Sequence, residues 1–149
     1  MKGLLLVFAG FSVSVALTAA LAMASTSGTH SAAKAPAHAT VAIRHQTHGC
    51  HAWSLNGHAY RASVSGALAR GGTITFFDND VMPHKLIQQS GPAVTYKGQR
   101  AMRHMGASVT VTFPKAGVYR FTTKAGEDYM SGIKTIGEDN VLRLTVRVS

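Results

Sequence analysis

The stretch Gly72-Thr73-Ile74-Thr75-Phe76-Phe77-Asp78-Asn79-Asp80-Val81-Met82-Pro83-His84-Lys85-Leu86 decides how the rest of the chain is read. Thr73 to Phe77 alternates β-branched polar residues with large apolar ones, the two-residue period of a strand with one face in a core. Asp78-Asn79-Asp80 stops it, because short carboxylate and amide side chains bond their own backbone and favour turns. Pro83 has no N–H to give to a ladder, so pairing restarts at His84. A histidine is thereby fixed at the first position of a new strand, beside a tight corner.

Working outward, Ser108-Val109-Thr110-Val111-Thr112-Phe113 alternates in the same way, Pro114-Lys115-Ala116-Gly117 turns, and Val118-Tyr119-Arg120-Phe121-Thr122 returns. Val141 to Val148 alternates through a final strand. Upstream, Ala52-Trp53-Ser54-Leu55 runs into Asn56-Gly57, a pair that tolerates positive φ and marks a hairpin, with a return strand over Tyr60 to Val64. Residues 90–107 and 124–139 read as irregular loops. Seven or eight short strands, regular turns and no amphipathic helical period predict an all-β antiparallel sandwich or barrel.

Met1-Lys2, an apolar run from Gly3 to Leu21 and the small-x-small site Ala22-Met23-Ala24 predict a secretory signal peptide over residues 1–24. The alternative is an uncleaved anchor, since the run approaches the roughly 17–25 residues that cross a bilayer. Residues 25–44 are mostly small and polar and predict a flexible linker. Residues 45–149 then form one domain, long enough for a core of its own. The single cysteine, Cys50, excludes an internal disulfide framework. With 15 Lys and Arg against 6 Asp and Glu, the net charge is +9. The cations are scattered and not interleaved with aromatics, which together with export argues against nucleic acid. An anionic surface or an acidic envelope protein is the expected partner class, in the periplasm or cell envelope.

These segments resemble the cupredoxin family, plastocyanin-like domains and the copper domains of oxidase and nitrous-oxide reductase type. Gly72 to Asp80 followed by Pro83-His84 is similar to the family's histidine-bearing segment. Val109 to Phe121 resembles the hairpin that feeds its copper loop, and Met130 stands where the family often keeps an axial methionine. The resemblance spans Trp53 to Val148 and implies a Greek-key antiparallel β-sandwich. It also implies a departure. Blue members carry a cysteine after Tyr-x-Phe-x and a histidine soon after; here Thr123 takes the cysteine position, and no histidine occurs between Lys115 and Ser149. Blue-copper electron transfer depends on that thiolate, so it is not expected here.

The end of the sandwich reached by Asp78-Asn79-Asp80 is expected to gather His84, His104, Met105 and Met130 around copper, with His58, Met82, Glu127 and Asp128 close by. Imidazole suits copper in either oxidation state, and thioether selects the cuprous ion. Such a site weakens as its histidines protonate near pH ~6.5. Cys50 and His51, next to His45 and His48, form a second candidate set. If the strand beginning at Ala52 climbs toward the His84 end, Cys50 lies about 20 Å from that end and binds metal, if at all, independently. Each residue also has a plainer reading: His84 as a hydrogen-bonded strand-end histidine, His104 as a loop residue, Met105 and Met130 as core plugs, Cys50 as a buried small residue or free thiol. The expectation is an exported, non-enzymatic copper-binding protein with a non-blue site, acting in copper acquisition, buffering or handover. A metal-free interaction module of the envelope is the alternative, or an electron-transfer protein if Cys50 joins His84.

Overall fold

A computed structural model describes residues 34–45, 51–125 and 141–149. Among these residues there are ten strands and no helix: β1 (His38–His45), β2 (His51–Leu55), β3 (Ser63–Leu68), β4 (Thr73–Asp78), β5 (His84–Ser90), β6 (Thr95–Lys97), β7 (Ala101–Met102), β8 (Ser108–Thr112), β9 (Gly117–Ala125) and β10 (Arg143–Val148). They form two five-stranded sheets, ordered β2-β1-β4-β8-β6 and β3-β10-β9-β5-β7. The all-β sandwich expected from the sequence is the observed architecture. The proposed signal peptide lies outside the described residues; no helix among those described is long and apolar enough to cross a membrane.

The core lies between the sheets and is built from alternate positions. Ala39, Val41 and Ile43 of β1, Ile74 and Phe76 of β4, and Val109 and Val111 of β8 meet Leu86, Tyr119, Phe121, Leu144 and Val146 from the other sheet. Phe113 contacts Tyr119 and Phe121 edge-on, with ring centroids 4.9 and 5.9 Å apart. The Tyr119 hydroxyl donates to the Lys115 carbonyl at 2.6 Å, giving the buried phenol its partner and closing the β8–β9 turn. Trp53 is fully buried at the other end of this layer's sequence, in β2.

Three expectations are corrected. The sheets are mixed, not purely antiparallel: β1 pairs parallel with β4 and β3 parallel with β10. Residues 38–44, expected to be linker, belong to β1, so the domain begins earlier. Only Ala39, Val41 and Ile43 carry its apolar half, a weak signal next to a Ser/Ala-rich stretch. Its place is secured by backbone pairing on both sides, to β2 and β4. Recognising β1 then reverses β2. Because β1 runs parallel to β4, His45 ends at the same pole as Asp78; because β2 is antiparallel to β1, with His45 opposite His51, β2 starts at that pole and descends. Asn56 and Gly57 do turn with positive φ, 51° and 76°, but at the opposite pole from His84. The loop over 90–107 contains the two short strands β6 and β7.

Candidate metal centre

One pole of the sandwich collects the ends of β1, β2, β4 and β5. Asp78 closes β4, and two Asx-type bonds shape the corner after it: the Asp80 amide donates to Asp78 Oδ1 at 3.0 Å, and the Met82 amide to Asp80 Oδ1 at 2.9 Å. These bonds leave Asp80 Oδ2 facing inward. His51 Nδ1 lies 2.9 Å from that oxygen and His84 Nε2 3.3 Å from it. The two imidazoles meet edge to face, centroids 4.6 Å apart. His51, Asp80 and His84 are 2%, 1% and 0% exposed. His45 is the outward member: its side chain is 49% exposed, and Nδ1 stands 3.8 Å from Asp80 Oδ1, beyond hydrogen-bond range. The donor atoms of His45, His51 and Asp80 all lie within 4.8 Å of one another.

The two buried carboxylates differ. Burial pushes Asp78 up to about 6, against a partial opposing pull from His84. Burial acts on Asp80 in the same sense, but the hydrogen bonds from His51, His84 and the Met82 amide outweigh it and hold Asp80 well below the usual carboxylate range. An ionised Asp80 only accepts, so both histidines donate to it, and the proton of His84 is then on Nε2. That tautomer leaves the lone pair of His84 Nδ1 buried with no hydrogen-bond partner among the described residues. Asp78 Oδ2 is in the same state. A buried polar atom left unmet costs about 1–3 kcal/mol, a cost retained where something else uses the atom.

The donor set suits a transition metal. Nitrogen and carboxylate donors about 2.0–2.2 Å from a metal sit roughly 3 Å from one another around it. The 2.9 Å between His51 Nδ1 and Asp80 Oδ2 is of that size, an ion there taking the place of the proton they share, and the donor atoms of all three candidate ligands lie within 4.8 Å of one another. His51, His45 and Asp80 are the residues that would hold the ion, with His84 fixing Asp80 from the other side.

The structure therefore brings His84 and His51 together, two residues the sequence placed at opposite poles. It adds Asp80, which the sequence reading left out, and His45, which that reading placed only in the second set with His48, Cys50 and His51. The spacing Asp80-x-x-x-His84 across a turn was the available signal, but Asp80 reads equally as a strand stop. His104 and Met105 do not join the cluster. Both are exposed on the turn between β7 and β8, with His104 Nδ1 bonded to the Met105 carbonyl at 3.0 Å and Met105 57% exposed. Their turn is nonetheless tied to this pole, the Gly106 amide donating to the Asp78 carbonyl at 2.6 Å. His58 stands at the other pole, beside Leu55. Cys50 and Met130 lie outside the described residues, as do His48, Glu127 and Asp128. Thr123, at the family's cysteine position, pairs with Leu86, and the residue opposite His84 is the buried Ala125.

No protein-family model matches the chain, and no curated protein sequence does. Solved structures similar to it are cupredoxins. A purple cupredoxin from Nitrosopumilus maritimus is 16% identical, over 74% of this chain and 98% of that one, with a TM-score of 0.42. Amicyanin from Paracoccus versutus is 20% identical, over 78% of this chain and 83% of that one, with a TM-score of 0.39. These are the sandwiches that the sequence resembles; the fold itself stands on the strand order and register above.

Proposed function

We propose that this is an exported, non-enzymatic copper-binding protein, holding the ion at a non-blue site of His45, His51 and Asp80 braced by His84, for capture or handover outside the cytoplasm. The observation that carries the reading is the convergence of two buried imidazoles on one buried, ionised carboxylate oxygen. An imidazole and carboxylate set favours the cupric ion over other divalent first-row metals on affinity grounds. The half-exposed His45 leaves the centre open to solvent on one side, as exchange of an ion requires.

The test is titration of the purified protein with cupric ion, followed by electron paramagnetic resonance and by chelator competition. One equivalent with nitrogen and oxygen ligation and a weak visible band is expected, lost in His51→Ala and in Asp80→Asn. No stoichiometric binding by the wild type would favour the interaction module. An intense visible band that disappears in Cys50→Ser would instead support the electron-transfer reading.

A further inference from the structure

The outer face of the β3-β10-β9-β5-β7 sheet carries a row of cations that the metal centre does not use. Arg120 and Lys124 of β9 and Arg143 and Arg147 of β10 are all exposed, while Tyr119, Phe121, Leu144 and Val146 between them are buried. The register sets Arg120 across from Thr145, and Arg147 across from Val118. One residue further along, Arg143 stands across from Thr122. Lys124, Arg143, Arg120 and Arg147 thus alternate between two neighbouring strands. Each step is a cross-strand diagonal of about 7–8 Å, so the row is roughly 20–25 Å long. Lys85 pairs with Lys124 and thickens one end.

Lys85 and Lys124 stand directly opposite each other, a like-charge pairing that destabilises a sheet. None of the four makes an ion pair among the described residues, whose salt bridges all converge on Asp80. Among the described residues the acidic side chains are Asp78 and Asp80, and both are buried at the metal centre, away from the row.

We infer that the row binds a linear, phosphate-bearing polyanion laid along β9 and β10. Three of the four cations are arginines, whose planar forks grip phosphate oxygens in pairs. Apart from Lys85 at one end the row is a single cation wide, and the outward positions Ser63 and Ser65 on the flanking β3 are neutral. A twisted sheet, turning about 20–25° per strand, follows a flexible chain better than a flat bilayer. A chain charged at every unit meets each cation whatever its rotation, whereas the side chains of an extended acidic peptide alternate faces.

The experiment is fluorescence anisotropy of labelled short-chain inorganic polyphosphate with chelator-treated protein, across a salt series. Arg120→Gln/Arg143→Gln is expected to weaken binding at least tenfold and to lower the slope of log K against log salt by about 0.7 per cation removed. Arg44→Gln/Lys97→Gln, which removes the same charge from the opposite sheet, is expected to change affinity less than twofold. Circular dichroism and melting verify that both variants fold. Equal weakening in the two double variants reduces the effect to net charge and overturns the row. Tighter binding to polyglutamate or to anionic vesicles than to polyphosphate overturns the polymer class, and no wild-type binding at low salt overturns both.

Discussion

Two neighbouring segments of one pole, the corner after β4 and the turn after β7, which the sequence reading joined in a single metal site, are built in opposite ways. Around Asp80 the imidazoles of His51 and His84 are withdrawn from water, and both are held by a carboxylate that is itself bonded by a backbone amide. Around His104 the side chains face solvent, and the imidazole satisfies itself on its own neighbour's carbonyl. Burial with a fixed partner, and not residue type, separates a preorganised donor set from a surface loop.

The largest expected effect comes from deleting the centre of the first region. Asp80→Ala leaves two buried imidazole donors and the Met82 amide without their acceptor, and should lower stability by about 3 kcal/mol in urea unfolding while abolishing cupric binding. A loss below about 1 kcal/mol would show that the pole is not held by this carboxylate.

Acidity should split the two aspartates next, in chelator-treated protein. Asp78, raised to about 6, contributes stability that is fully present below its unfolded value of 3.8 and is lost as pH rises through about 6. Asp80, depressed, contributes stability that is present above 3.8 and is lost as pH falls through its lower native value. Between about pH 4 and 6 both are in their favourable forms. Asp78→Asn cannot ionise, so thermal melts of this variant should lose the decline that the wild type shows from pH 5 to 7, a difference of roughly 1.3 kcal/mol. Identical pH profiles would mean that Asp78 is not held neutral.

His45→Ala removes the solvent-side donor and should weaken cupric binding about tenfold by chelator competition, with the melting temperature shifted by less than about 2 °C. The smallest effect sharpens the contrast from the other side. His104→Ala/Met105→Ala should change neither copper affinity nor stability by more than about 0.5 kcal/mol. Loss of binding in that variant would return the metal to the β7–β8 turn.

The fold was largely legible because its strands announce themselves by alternation. Thr73–Phe77, Ser108–Phe113, Val118–Thr122 and Val141–Val148 each gave a strand near its observed bounds. The strand that escaped, β1, has three small or medium apolar residues within a polar, alanine-rich stretch, and its place depends on partners far away in sequence. Missing it inverted β2, and the inversion sent His51 to the wrong end.

The sequence by itself determined that the chain is an all-β sandwich, that a histidine follows a turn-locked proline, and that no cysteine stands at position 123. Those are local properties, fixed by side-chain period, backbone restriction and composition. Only the tertiary structure decided which histidines share a carboxylate and which cations share a face. Both depend on the parallel pairing of β1 with β4 and on the β9–β10 register, contacts between distant segments whose strength comes from a jointly buried core and which leave no periodic mark on either segment alone.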